Sequence, residues 1–172
     1  MFKEALEVVE SALKTYEEMK SREGSAFKGG ASTTLALTSE LLAKFREVVS
    51  AAASVEEVVT SSSLKTGKVC EGLTYVNDEH AVALIHRSPL AAVSYRKRSR
   101  KVVLSSKYTS LSLGVDELEV RYRDRVTVLR LAVKDDIIGS SSMLRALASE
   151  ELNLVRYTSA LVESCSRKLG LR

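Results

Sequence analysis

The hydrophobic period of this chain switches from helical to alternating near residue 69, and that change restricts the folds open to it. Before it, apolar residues recur at helical spacing. Phe2, Leu6, Val9, Leu13, Tyr16 and Lys20 follow gaps of four and three, which predicts an amphipathic helix over about 2–20. Ser21 to Gly30 is polar and glycine-bearing and reads as a loop. Leu35, Leu41, Leu42, Phe45, Val48 and Val49 then predict a second helix over about 33–52. Ser54 with Glu57 three residues on has the form of a capping box, predicting a short third helix over about 55–64.

After the change the period is two. Val69, Glu71, Leu73 and Tyr75 alternate with Cys70, Gly72, Thr74 and Val76, and Asn77-Asp78-Glu79 supplies a turn to a return strand over 80–86. Ser88-Pro89 leaves 89–95 open between a short helix begun at proline and a strand. Lys101 to Ser106 reads as a strand. Leu118, Val120 and Tyr122 oppose Glu117, Glu119, Arg121 and Arg123 on a half-exposed strand, and Arg125 to Val133 is apolar enough to be central. The serines at 140–142 cap a long final helix over about 142–169, with Leu144, Leu147, Leu154, Val155, Leu161, Val162, Cys165 and Leu169 on its apolar face. The expected class is α+β: N-terminal helices packed on an antiparallel sheet of at least four strands, followed by a long C-terminal helix. Residues 1–139 form the expected nucleic-acid-binding domain and 140–172 a helix for packing and oligomerisation.

Charge marks the middle of the chain. The net charge is +4, but residues 1–57 carry −3, residues 58–139 carry +5 and residues 140–172 carry +2. Within the middle stretch, Tyr95-Arg96-Lys97-Arg98-Ser99-Arg100-Lys101 puts five cations in seven residues. Such a run needs a solvated surface or a polyanion. Cations neutralise phosphates, and tyrosines beside them can stack on unpaired bases. The candidate nucleic-acid-binding residues are therefore Tyr95, Arg96, Lys97, Arg98, Arg100, Lys101, Tyr108, Arg121 and Arg123, with Tyr75 as a further aromatic candidate. The competing reading of the cations is a solvated surface balanced by Glu117, Glu119 and Asp124.

Other constellations are weaker. Lys28-Gly29-Gly30-Ala31-Ser32-Thr33-Thr34 precedes a helix but lacks the order of a P-loop, so it reads as an interhelical loop. Asp116, Glu117, Asp135 and Asp136 fall at one end of a hairpin and could hold a divalent cation for phosphodiester cleavage. His80 and His86 are too far apart on a strand for one metal. No Gly-x-Ser-x-Gly elbow is present, and no cofactor is implied. Cys70 and Cys165 have no metal-type spacing and read as two buried thiols. Glutamine is absent and asparagine occurs only at Asn77 and Asn153, a bias that fits a thermophilic source. The N-terminus lacks the basic-then-apolar order of a signal peptide and no apolar run has transmembrane length, so a cytoplasmic protein without membrane contact is expected.

The layout resembles the ThermoDBP family of archaeal single-stranded DNA-binding proteins. The matching features are the helices at 2–20 and 33–52, the sheet about 69–133 with Arg96, Lys97, Arg98, Arg100 and Lys101, and the helix from Ser142. The resemblance implies a helix-backed sheet in place of an OB-fold and a C-terminal dimerisation element. The leading expectation is a non-enzymatic protein that binds single-stranded nucleic acid, DNA before RNA, as a homodimer or larger even assembly. A protein–protein scaffold or regulatory module is the alternative, and a metal-dependent nuclease the second.

Overall fold

The computed structural model describes residues 1–61, 67–70, 72–140 and 151–169, the last group with side chains from Tyr157 onward. It is α+β, as the change of period requires. Helix α1 (Phe2–Glu23) leads through a short 3-10 turn (Gly24–Ala26) to helix α2 (Gly30–Ser61). Eight strands follow among the described residues: β1 (Gly67–Cys70), β2 (Leu73–Asn77), β3 (Ala81–Arg87), β4 (Leu90–Arg96), β5 (Lys101–Ser106), β6 (Thr109–Leu113), β7 (Glu117–Tyr122) and β8 (Arg125–Arg130). Helices α3 (Lys134–Gly139) and α4 (Glu151–Lys168) complete the chain. The expected cap at Ser141 and Ser142, and Leu144 and Leu147, lie outside the described residues, as do the side chains of Leu154 and Val155.

The strands form one antiparallel meander in sequence order. Pairing preserves side-chain parity, so each face can be read across the sheet. On the inner face Tyr75 opposes Leu84, Leu84 opposes Val93, Val93 opposes Leu104, Leu104 opposes Leu111, and Leu111 opposes Val120. These side chains share one core with Phe2, Val9, Tyr16, Leu42, Phe45 and Val49 of the helices. On the outer face Ile85, Ala92, Ser105 and Ser110 follow one another, as do Ala83, Ser94, Val103, Ser112 and Glu119. Ala92 and Val103 are buried yet stand apart from the helix-backed core.

Helix α2 is the spine. At 32 residues it is about 48 Å long. The capping box at Ser54 does not start a new helix: Ser54 Oγ donates to the Ser50 carbonyl inside α2. Nothing in the sequence breaks the helix there, and Val55, Glu56 and Val59 stay buried. On α1 the buried face runs through Ala5, Val8, Ala12 and Met19, while Leu6 and Leu13 are only half-buried. Two alanines in that stripe let α1 approach α2 closely.

A buried carboxylate ties three parts of the fold. Glu56 on α2 accepts a 2.6 Å bond from the Tyr75 hydroxyl of β2 and a 2.8 Å bond from the Phe2 N–H of α1. The Met1 nitrogen lies 3.1 Å from the same oxygen as Phe2. Tyr75 therefore belongs to the interior and does not supply an exposed ring. Burial, then the bond to Glu56, raise its phenol well above the ordinary value. Burial likewise pushes Tyr16 up to about 12, against the lowering effect of its bond with Ser39.

The sheet departs from expectation in three places. The stretch 69–76 is two strands, because Gly72 takes φ +84° and turns the chain; a Cβ there would lie 2.9 Å from His86 Cδ2. Leu90–Arg96 is a strand and not a helix. Strand β8 is an edge and not central: Val126 and Val128 are 45% and 47% exposed.

Cys70 and Cys165 form a disulfide, with Cα atoms 5.8 Å apart, where two thiols were expected. Helix α4 runs against α2 and reaches β1, bringing together residues 95 apart in sequence. Val162 and Cys165 enter the common core, so α4 seals the domain. His86 contributes to this corner: it sits edge-on to Tyr157 at 6.0 Å, and its Nδ1 is 2.8 Å from the Pro89 carbonyl. No helix among the described residues is long and apolar enough to cross a membrane.

Two outcomes follow. Replacing both cysteines by serine should cost about 2–5 kcal/mol, read as a lower melting temperature matched by reductant on the unmodified protein. On the alkaline side, the raised Tyr16 and Tyr75 phenols contribute stability that is fully present below their unfolded value and lost as pH climbs. The melting temperature should therefore fall from pH 10 to about 12, and Tyr16→Phe should lessen that fall.

Candidate nucleic-acid interface

A meander sends alternate turns to opposite ends of the sheet, and this divides the cations into two groups. The turn between β4 and β5 carries Lys97, Arg98 and Arg100, flanked by Arg96 and Lys101, which pair with each other across the hairpin. At the opposite end the turn between β5 and β6 carries Lys107 and Tyr108, and the turn between β7 and β8 carries Arg123 and Asp124. The six residues of β5 separate the groups by about 17–20 Å. The single track implied by linear sequence is thus two clusters joined by a face of alanine, serine and valine.

In the first group two cations are engaged. Lys97 Nζ donates to Asn77 Oδ1 at 2.7 Å and to the Asp78 carbonyl, pinning the β2–β3 turn to the β4–β5 turn. Asp78 in turn accepts the His80 and Ala81 N–H groups, which hold its carboxyl below the usual range. Lys101 pairs with Glu117 at 3.3 Å. Arg96, Arg98 and Arg100 are exposed.

The second group has an aromatic ring. Tyr108 is 51% exposed, with the Arg123 guanidinium 5.0 Å and Lys107 Nζ 5.2 Å from its ring centroid. Arg123 also lies 5.7 Å from the Tyr122 ring. Beside them is an open cavity of about 450 Å³, lined by Ser106, Lys107, Tyr108, Ser110, Arg121 and Arg123 among others. Arg121 is exposed on the outer face, 3.9 Å from Glu119.

Both groups hold an arginine in left-handed backbone: Arg100 and Arg123 each have φ 54°. Glycine or asparagine suits that conformation better, and an ordinary L-residue is strained there by about 1–2 kcal/mol. Arginine at both positions places a charged side chain where the backbone disfavours one.

Tyr95 is a correction. It is fully buried on the inner face, between Val82 and Val102, so it cannot present its ring to a base. It begins the basic run in sequence, but strand parity turns it inward while Arg96 turns outward. Among the described residues its buried hydroxyl has no hydrogen-bond partner. Lys107, absent from the candidates, joins the site; its position beside Tyr108 in a turn was the available signal.

Two of the four acids expected at one end are engaged, each by a different cation. Arg130 grips Asp136 through Nε at 2.9 Å and through its own N–H at 3.0 Å, and the side-chain bond holds the Asp136 carboxyl below its ordinary value. Glu117 pairs with Lys101. Among the described residues, no three histidine, cysteine, aspartate or glutamate side chains are grouped to hold a metal. His80 lies exposed in a turn, off the strand that carries His86.

No protein-family model, curated protein or solved structure matches this chain.

Tyr95 and Tyr108 should separate cleanly. Tyr95→Phe removes an orphaned buried hydroxyl and should leave stability unchanged or raise it by about 1 kcal/mol, whereas Tyr95→Ala should cost about 3–5 kcal/mol. Tyr108→Ala should leave the melting temperature unchanged. Thermal denaturation of the three variants checks all of this.

Proposed function

We propose that this protein binds single-stranded nucleic acid without catalysis, across the outer face of its sheet. The observation that carries the reading is Tyr108: an exposed ring with the Arg123 and Lys107 cations 5.0 and 5.2 Å from its centroid, beside an open, cation-lined cavity. A base stacked on that ring would place its phosphates near Arg121 and Arg123. The strand would then pass Ser105 and Ser110, the half-exposed small residues of β5 and β6 on that face, toward Arg96, Arg98 and Arg100. Small side chains favour this path because they let a flexible strand lie close to the backbone. The left-handed arginines support it as well, since both sit where the path begins and ends.

The two ends have different roles in this reading. The Tyr108 end supplies stacking and charge together, and the Arg98 end supplies charge alone. The ThermoDBP resemblance belongs to the same proposal and makes DNA the expected ligand, with RNA as the comparison.

Anisotropy of labelled single-stranded DNA and RNA over a salt series tests it. Tyr108→Ala should weaken binding by about 1–3 kcal/mol. Arg123→Asn should flatten the salt slope by about one phosphate contact while leaving the protein as stable or slightly more so. Replacing Arg96, Arg98 and Arg100 by serine should weaken all sequences alike. No binding at low salt sinks the proposal, and cleavage dependent on Mg²⁺ would replace it with the nuclease reading.

A further inference from the structure

Strand β8 is an edge of the sheet, and its outward groups are complementary to themselves. Leu131 N–H donates to the Asp116 carbonyl, toward β7, while Arg130 N–H turns away and is met by Asp136 Oδ2. Backbone direction alternates along an antiparallel strand. The N–H and C=O groups of Val126 and Val128 therefore point off the sheet. Among the described residues none of these four groups has a partner. At the Arg130 end pairing is closed: its N–H is held by Asp136 and its carbonyl accepts from Val133. The opposite edge is guarded differently, since β1 has only four residues and carries the exposed Lys68.

We propose that β8 pairs antiparallel with β8 of a second copy, with Thr127 opposite Thr127 on the two-fold axis, to form one continuous sheet. The occupant follows from two properties of this register. Val126 then faces Val128 of the other copy twice over, so all four free groups on each strand edge find partners. The four exposed valine side chains meet on the outer face, where each is now 45% or 47% exposed. Shifting by two residues in either direction lets one valine pair only with itself and leaves the other facing a position outside the free edge. Shifting by one residue puts the inner face of one copy against the outer face of the other.

The oligomer expected from sequence thus moves to a different surface. The described part of α4 buries Thr158, Val162 and Cys165 within its own chain. The inference stands independently of nucleic-acid binding. Where both hold, the two-fold axis sets the Tyr108 end of one copy beside the Arg98 end of the other.

Sedimentation of the unmodified protein should show a dimer at micromolar concentration. Val126→Lys with Val128→Lys puts like charges opposite each other across the seam, and should give a monomer with an unchanged melting curve. Thr127→Cys should crosslink two copies on mild oxidation, because Cα atoms at a non-hydrogen-bonded pair lie about 4.5 Å apart. Val126→Cys, away from the axis, should crosslink far more slowly. The Thr127→Cys result decides the register even if the lysine variant fails to fold. A monomer at every concentration, a dimer that survives the two lysines, or equal crosslinking at 126 and 127 overturns self-pairing. The first of these leaves the edge to a strand from a different protein.

Discussion

The burial of one face of a long helix organises this molecule. Helix α2 packs against α1, α4 and the sheet, and its apolar positions continue almost without interruption from Leu41 to Val59. A sheet of eight strands has an inner face too broad for a short helix, and among the described residues helices alone cover it. The sheet becomes stable only when α2 lies across it with α1 and α4 alongside. Glu56 adds direction to this non-directional contact. A carboxylate buried in that position needs its donors, and it finds them on α1 and β2, so α2 cannot slide or rotate without stranding a charge.

The division of labour between the two faces follows from the same constraint. With the helices on one side, the other is left to short side chains and to whatever the turns project. Function on such a scaffold falls to the turn residues, which can vary without disturbing the core. The acid pairs limit where charge remains available: Lys101 and Arg130 are committed to Glu117 and Asp136 and Arg121 lies 3.9 Å from Glu119, while the arginines at 96, 98, 100 and 123 remain exposed.

The class of fold was legible because periodicity survives tertiary context. Alternation placed β3, β5 and β7, and helical spacing placed α1 and the first two-thirds of α2. Strand β6 was missed: Thr109–Leu113 reads Thr-Ser-Leu-Ser-Leu, and its serines look like a loop until the outer face is known to consist of small residues. The end of α2 was misread because a capping box is a local signal, and buried Val55 and Val59 outweigh it. The basic cluster was legible as composition but not as geometry. Tyr95 and Arg96 are neighbours in sequence and lie on opposite faces of the sheet, while Tyr108 and Arg123, fifteen residues apart, stack. The disulfide was invisible for a related reason, since only the return of α4 along α2 brings its halves together. Such bonds persist in oxidising compartments and in the cells of hyperthermophiles alike.

The disulfide has a topological effect beyond its contribution to stability. It joins the first strand to the last helix, so the covalent ring it closes contains strands β2 to β8 and every turn that carries the proposed site. A protease that cuts an exposed hairpin inside that ring opens the ring but releases no piece. Both fragments stay tethered, and each hairpin keeps its neighbours within reach. The turns can therefore be exposed, charged and strained without making the chain fragile, because their scission alone does not dismantle the molecule.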